Sequence, residues 1–278
     1  MIENKTNKTN NKYLIYTILI FIAFISIYYF SVVYTLSMED NKFMYRTWSW
    51  VEYLITLFAI IVIIKKFDKL RFKYIGVGLI LISINFLSFH QRTDLKTAII
   101  GSFVTLIGFV GGCLLTGNEN RNKSLFKNLN IKALPKAFLL GILIAIPFAL
   151  LNFIYFRLTI GTVQYMNVFK AALLALEPGI SEEIIFRFFI MNAIFTLLDN
   201  RIKKKYIVFI SFFFGIVPHS LIHFSELWIS NVSAAFFMLI TTSLLFGLPM
   251  AYLQYKKDLE TAITFHWFID FIRFIGGY

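Results

Sequence analysis

The sequence predicts an all-α fold: a polytopic transmembrane helical bundle of about eight to nine helices. Of the 278 residues, 58% are hydrophobic and 15% are charged, and the mean hydropathy is +0.73. This composition is typical of integral membrane proteins. The apolar residues also form runs separated by short polar segments, and several runs approach the roughly 20 residues that a helix needs to cross a bilayer.

Nine apolar segments are candidate membrane spans. The polar residues 1–12 precede them, and we expect these to form a short disordered cytoplasmic lead. The first run lacks a small-residue cleavage site, so it is expected to be a retained helix. If one short span lies at the interface, eight crossings remain. The nine segments are 13–36, 49–64, 74–89, 97–116, 137–156, 168–198, 206–224, 234–255 and 261–275.

The distribution of Lys and Arg predicts the orientation of the chain. With a cytoplasmic N-terminus, the inner segments hold 19 of the 27 basic residues, as the positive-inside rule requires. The net charge of +12 therefore matches an anionic inner leaflet and not a nucleic-acid partner. We expect a multi-pass plasma-membrane protein surrounded by lipid. The inner segments are 1–12, 65–73, 117–136, 199–205 and 255–260.

Two carboxylates and an arginine interrupt the sixth apolar segment. An ionisable side chain at bilayer depth costs about 3 kcal/mol or more and usually marks a functional site. On an α-helix, Glu183 and Arg187 are four residues apart and can form an ion pair. Glu182 lies about 100° around the helix. One carboxylate thus has a structural explanation, and Glu182 is available for chemistry.

Three other positions have structural interpretations. The sequence Glu177-Pro178-Gly179 predicts a helix break, because proline removes a donor and glycine adds backbone freedom. Ser181 is expected to cap the restarted helix. Glu52 starts an earlier span and is expected to snorkel to the outer interface.

Histidines accompany these carboxylates in the second half of the chain. His219 and His223 are four residues apart, and so are His266 and Asp270, so each pair shares a helix face. A lone histidine in an apolar helix is usually a packed core residue. Two such pairs on separate helices, together with two adjacent glutamates, favour a site.

These residue types support two chemistries, both of which hydrolyse an amide. Two histidines and a carboxylate can bind Zn²⁺, which lowers the pKa of a bound water to about 7. Alternatively, a buried carboxylate takes the proton from water while His and Asp groups stabilise the oxyanion. The motifs His-Glu-x-x-His and Gly-x-Ser-x-Gly are absent from the sequence. The single cysteine, Cys113, excludes a disulfide framework and a thiolate metal cluster.

The ordered pattern Glu182-Glu183-x-x-x-Arg187, a histidine-bearing helix and His266-x-x-x-Asp270 resembles the CAAX-protease and bacteriocin-processing (CPBP, or Abi) family of intramembrane endopeptidases. The resemblance implies an all-helical membrane protease that cleaves peptide bonds near a lipid-embedded or prenylated segment. It also implies a site in a cavity on the cytoplasmic side.

The resemblance covers about residues 169–275. We therefore expect residues 161–278 to form the protease core, whereas residues 13–160 are N-terminal helices without a family signal. The family usually shows Phe-x-x-x-His in its middle motif, but His219 stands four residues before His223 here. We favour His223, because the residues that lead to it are similar to the family's small-apolar-apolar-histidine run.

The resemblance also implies roles for single residues. Glu182 would be the general base, and Glu183 with Arg187 would hold the helix. His266 and Asp270 would stabilise the oxyanion. Asp270 can do so only if protonated; otherwise it orients His266 or binds metal. The catalytic candidates are Glu182, Glu183, Arg187, His219, His223, His266 and Asp270, and the zinc version would use Glu182, His223 and His266.

The implied biological roles are processing of leader or pheromone peptides, self-immunity to bacteriocins and regulation of surface proteins. A peptide or a membrane protein would then be the substrate. A function of another class is a non-proteolytic scaffold that binds a membrane partner such as a sensor kinase or a cell-wall enzyme. A small-molecule transporter is less well supported, because no inverted repeat is visible.

Overall fold

The computed structural model describes residues 2–38, 42–116 and 124–278. Within these ranges every regular element is helical, which confirms the predicted all-α fold. Short 3₁₀ turns occur at Phe67–Lys69 and Ile131–Ala133. The helices are α1 Ile2–Leu36, α2 Phe43–Lys65, α3 Phe72–Phe89, α4 Leu95–Leu115, α5 Leu134–Ile160, α6 Val168–Leu174, α7 Leu176–Glu182, a π-helix Glu183–Met191, α8 Asn192–Leu198, α9 Lys204–Ile222, α10 Leu227–Ser230, α11 Val232–Thr242, a second π-helix Ser243–Gly247, α12 Leu248–Lys256 and α13 Leu259–Ile275.

Seven helices among the described residues are long and apolar enough to cross a membrane. Two of the nine predicted spans are not among them. Residues 168–198 are divided into shorter helices and carry charges, and α13 has 17 residues. Nine crossings thus remain a prediction. Residues 2–12 belong to α1 and do not form the separate disordered lead that we expected.

The helices alternate in direction, so the bundle has two distinct ends. The basic end carries the α2–α3, α4–α5, α8–α9 and α12–α13 connections, in which most Lys and Arg residues occur. There Lys66 donates to the Leu114 carbonyl at 3.3 Å. The opposite end carries the α1–α2, α3–α4, α5–α6 and α9–α11 connections. There the Tyr278 hydroxyl donates to the Gly161 carbonyl at 2.6 Å.

The charged segment of residues 178–192 lies at the centre of the bundle, where every side chain is buried. Glycines of α4 allow this close approach. A Cβ atom at Gly111 would lie 2.9 Å from the Phe189 ring, and one at Gly112 would lie 2.5 Å from the Phe188 ring. Small residues permit close helix packing inside membranes, so the α4 sequence fixes the depth of the carboxylates.

The helix break occurs at Ala175, between α6 and α7. Pro178 then lies in the first turn of α7, where a missing N–H group is tolerated. Ser181 is inside α7, and its hydroxyl donates to Glu177 Oε1 at 3.2 Å. The helix is therefore interrupted, but before Glu177-Pro178-Gly179 and not at these residues, and the prediction that Ser181 caps the restarted helix was wrong. The proline allows the helix to restart before that position.

Candidate active site

Glu182 and Glu183 stand at the junction between α7 and the π-helix. Their side chains are buried, and that of Glu183 is completely inaccessible to solvent. Arg187 Nη1 lies 3.2 Å from Glu183 Oε1, which confirms the predicted ion pair, although the contact lacks hydrogen-bond geometry. π-Helical segments inside α-helices are frequent at functional sites.

Helix α9 brings His219 between these charged groups. Its Nε2 atom lies 2.5 Å from Glu182 Oε2, and its Nδ1 atom lies 3.0 Å from Arg187 Nη2. A guanidinium group can only donate, so Nδ1 of His219 must accept. His219 is therefore the neutral tautomer whose Nε2–H donates to Glu182. This hydrogen bond fixes one of the oxygens of Glu182.

His223 lies one turn beyond His219 and closer to open space. Its Nε2 atom is 3.2 Å from Nε2 of His219 and 4.0 Å from Glu182 Oε2. The side chain is 29% exposed, compared with 6% for His219. Geometry thus gives the direct contact with Glu182 to His219 and gives His223 the position facing the cavity. The preference for His223 has no support from the distances.

Helix α13 contributes His266 and Asp270 from the other side. His266 Nδ1 lies 2.9 Å from Glu183 Oε1. Its Nε2 atom lies 3.5 Å from Glu182 Oε2 and 3.6 Å from Asp270 Oδ2. The imidazole ring therefore has carboxylate oxygens near both nitrogens. This arrangement fixes the orientation of the ring.

Asp270 also pairs with a cation. Its Oδ1 atom accepts from Arg273 Nη2 at 2.9 Å, one turn along α13. Asp270 is thus held by a guanidinium group on one oxygen and lies next to an imidazole with the other. Of the three roles considered for Asp270, orientation of His266 fits this geometry better than donation to an oxyanion by a protonated acid.

The structure thus brings all seven candidate residues into one cluster. They come from α7, the first π-helix, α9 and α13. Sequence spacing placed them in pairs along single helices. The contacts between helices, such as Glu182 with His219 and Glu183 with His266, join these pairs.

One group of side chains in the described part of the chain could hold a metal ion. Single ligand atoms of Glu182, His219 and His223 all lie within 4.8 Å of one another. However, the lone pair of neutral His219 is used by Arg187, and its N–H is used by Glu182. His219 has no lone pair left for a metal, so this hydrogen-bond arrangement does not fit a bound ion. In the set proposed for zinc, His266 replaces His219.

A cavity of about 860 Å³ adjoins Glu182. Its wall includes side chains from the first half of the chain, which carried no family signal. Trp48 packs edge-on against both α9 histidines, with centroids 5.7 Å from His219 and 5.0 Å from His223. The Trp48 indole N–H donates to Glu52 at 2.7 Å. Glu52 is 7% exposed and lines the cavity, so the snorkelling interpretation was wrong.

A second pair missed by sequence reasoning is Arg92 with Glu177. Their charged groups lie 3.6 Å apart, and both residues line the cavity. Glu177 was interpreted only as part of a helix break, and Arg92 only as a loop charge. Neither has an oppositely charged neighbour three or four residues away, so no local signal indicated the contact.

The cavity opens at the opposite end of the bundle. Met44 at the start of α2, Thr93 before α4 and Leu158 near the end of α5 all line it. A cytoplasmic-side cavity and a cytoplasmic N-terminus were both expected from the sequence. The structure makes these two expectations incompatible, because the N-terminus of α1 lies at the basic end.

The cavity also extends sideways between α5 and α11. Apolar side chains form its wall there, including Leu151, Ile154 and Phe237, which are all more than 45% exposed. The Tyr155 hydroxyl donates to Met238 Sδ at 3.6 Å across this gap. In a bilayer these exposed apolar residues would face lipid. The candidate base is thus reachable both from the opposite end and from the lipid.

Comparison with known proteins finds a family match in the C-terminal part of the chain, which contains the site. Residues 164–272 match the family model described as type II CAAX prenyl endopeptidase Rce1-like. A search of curated proteins and a search of solved structures each found no match. The matched residues include all seven candidate site residues. Residues 164–272 therefore form a domain of the Rce1-like type II CAAX prenyl endopeptidase family, in agreement with the resemblance to CPBP proteins.

Proposed function

We propose that the protein is an intramembrane endopeptidase in which Glu182 activates a water molecule for attack on a peptide carbonyl. The observation that carries this proposal is the contact between Glu182 and His219 at the wall of the cavity. One carboxylate oxygen, Oε2, is fixed by the imidazole N–H. The hydrogen bonds of Glu182 within the described residues all involve Oε2, so Oε1 is available to a water molecule.

The reaction needs only groups that the site contains. Glu182 takes a proton from water as the water oxygen bonds to the peptide carbon, which gives a tetrahedral oxyanion. Glu182 then passes this proton to the leaving nitrogen as the C–N bond breaks. The products are a carboxylic acid and an amine, and the base returns to its starting form.

His266 is the best placed group to stabilise the oxyanion. Three carboxylates, those of Glu182, Glu183 and Asp270, face the two guanidinium groups of Arg187 and Arg273. The cluster carries one net negative charge when the histidines are neutral. Nε2 of His266 lies between the carboxylate oxygens of Glu182 and Asp270, at 3.5 Å and 3.6 Å. A donor aimed at a developing oxyanion typically contributes about 100- to 1000-fold in rate.

His223 and Trp48 form the part of the wall next to this site. His223 is partly exposed, and its ring is held by the Trp48 edge. Since His219 is occupied by Arg187 and Glu182, His223 is the α9 histidine that can touch a substrate. Its role would be to contact the scissile peptide group.

The lipid-facing gap supports a substrate with an apolar segment. A peptide anchored in the bilayer could enter between α5 and α11 without leaving lipid. Leader peptides, pheromone precursors and membrane-bound surface proteins have this chemistry, and the resemblance to CPBP proteins implies the same classes. We propose these substrates, and we propose a reaction without a metal: among the described residues, the group whose ligand atoms lie within 4.8 Å of one another contains His219 and not His266, and His219 has no free lone pair.

The test is a comparison of membrane and secreted peptides from cells that carry wild type or Glu182→Gln. This substitution keeps the size of the side chain and removes the base. Glu226→Gln is a matched control, because Glu226 is an exposed glutamate at the end of the bundle where the cavity opens. We expect a cleavage product that is lost in Glu182→Gln and kept in Glu226→Gln. Identical peptides in all three strains, with equal protein levels, would contradict the proposal and favour a scaffold.

A further inference from the structure

We propose that the cavity opens to the extracytoplasmic face of the membrane, so that the substrate is an apolar-anchored peptide presented from the outer side. That the peptide is a substrate rests on the proposed function, whereas the direction in which the cavity opens does not depend on it. Two observations carry the proposal: the position of the cavity in the bundle, and the placement of the basic residues.

The position of the cavity follows from its lining. Side chains from four connections or helix ends at the opposite end contribute to it, including Met44, Arg92, Leu158 and Arg273. Contacts between helices confirm which ends lie together. Ser88, near the end of α3, donates to the Leu174 carbonyl at 3.1 Å.

The basic end is equally well defined by contacts. The Arg201 guanidinium lies 4.3 Å from the centroid of the Tyr13 ring, which joins the α8–α9 connection to the beginning of α1. Glu260, at the start of α13, accepts from the backbone N–H groups of Leu125 and Phe126, each at 2.8 Å. The α8–α9 connection thus lies beside the N-terminal part of α1, and the α4–α5 connection lies beside the start of α13.

The basic residues at the two ends differ in what they contact. At the basic end many are exposed and can reach an anionic leaflet, as in Lys65, Lys69, Lys203 and Lys257. At the opposite end Lys42, Lys96, Arg157 and Lys170 are exposed as well, but Arg92 and Arg273 turn toward the cavity.

Two cations show this inward orientation. Arg92 lies 4.3 Å from the Phe274 ring centroid and pairs with Glu177. Arg273 pairs with Asp270 inside the site. These cations therefore serve the cavity and are poor determinants of orientation.

The basic end is consequently the cytoplasmic end. Lys and Arg in short loops next to membrane helices favour the cytoplasmic side. The family resemblance alone would place the cavity in the cytoplasm, and this conflicts with the loops. We give more weight to the loops, because they act directly on insertion of this chain.

The occupant follows from the two openings. An outward cavity with an apolar lateral gap fits a peptide whose anchor lies in the membrane and whose scissile segment has already crossed it or reached the outer leaflet. A prenylated C-terminus on the cytoplasmic side would meet the basic end, where no described residue of the connections lines the cavity. The site would thus act on exported peptides or on the outer segments of membrane proteins.

Single cysteines can test the direction of the opening in intact cells. The background variant is Cys113→Ala, which removes the buried native cysteine. Lys96→Cys reports on the opposite end and Lys203→Cys on the basic end, and both lysines are exposed. Thr93→Cys reports on the cavity wall itself. Each variant is treated with a membrane-impermeant maleimide before and after permeabilisation.

We expect Lys96→Cys and Thr93→Cys to react in intact cells, and Lys203→Cys to react only after permeabilisation. The reverse pattern would overturn the proposal. The same labelling is repeated with Glu182→Gln, since orientation does not depend on catalysis. Outward labelling with an unchanged peptide profile in Glu182→Gln would refute the proposed protease and leave the orientation in place.

Discussion

Glu182 and His219 are 37 residues apart in sequence, yet their side chains meet at 2.5 Å in the middle of the bundle. Arg187 completes the contact by donating to the other nitrogen of the imidazole ring. Together the three residues form a chain in which the guanidinium sets the histidine tautomer and the histidine holds the carboxylate. Positioning of the base thus depends on two helices that the sequence alone does not join.

The first prediction compares the two histidines of α9. We expect His219→Ala to lower the rate of cleavage by about 10- to 100-fold, because a hydrogen bond to a charged group contributes about 1.5–3 kcal/mol. His223→Ala should leave Glu182 in place and affect mainly KM. Steady-state kinetics of both variants in proteoliposomes checks this. Complete loss in both variants, together with inhibition of wild type by a chelator, would indicate a two-histidine metal site instead.

The second prediction concerns the buried pair of Glu183 and Arg187. We expect Glu183→Gln to reduce thermal stability strongly, because it leaves a buried guanidinium without its carboxylate, and breaking such a pair costs about 3–5 kcal/mol. The double variant Glu183→Gln with Arg187→Met should recover stability but not activity, since His219 then loses its partner. Thermal midpoints in detergent measure this. Equal stability of Glu183→Gln and wild type would contradict the structural role.

The third prediction distinguishes the roles of Asp270. If this residue orients His266 as an anion, Asp270→Asn should be nearly as harmful as Asp270→Ala, with rates at least about 10-fold below wild type, because both lose charge-assisted hydrogen bonds. Arg273→Gln should cause a smaller loss. Rates of the three variants per folded molecule decide between the roles. Retention of activity in Asp270→Asn alone would favour a hydrogen-bond donor at this position.

The fourth prediction concerns helix packing behind the site. A Cβ atom at Gly141 would lie 2.7 Å from Thr264 Cβ and 2.9 Å from the Thr261 carbonyl oxygen. Gly141→Ala should therefore separate α5 from α13 and cost about 1–3 kcal/mol. Gly76→Ala is the control, because no atom lies within 4 Å of the added methyl group. Thermal midpoints should fall for Gly141→Ala and stay level or rise for Gly76→Ala; equal values would contradict the packing.

Local spacing was enough to predict the pairs within helices. Glu183 with Arg187, and His266 with Asp270, are four residues apart, and helix geometry places such residues on one face. The helical fold also followed from composition and from the lengths of the apolar runs. These features depend on residues close together in the chain, so a sequence contains them directly.

The contacts between helices could not be predicted in this way. Glu52 and Trp48 reach the site from α2, and no spacing rule connects α2 with α9. The choice between His219 and His223 could not be made from spacing for a similar reason. It depended on Arg187, which selects the tautomer of His219 from a different helix.

The central claim is that Glu182 is the base that activates water. Its most direct test is the rate of peptide-bond hydrolysis by purified protein in proteoliposomes, measured for wild type and Glu182→Gln with the substrate identified from the peptide comparison. We predict a loss of at least about 100-fold in Glu182→Gln, in the range expected for a general base, with an unchanged thermal midpoint and unchanged wild-type activity in the presence of chelator. A comparable rate per folded molecule in Glu182→Gln and wild type would contradict the account.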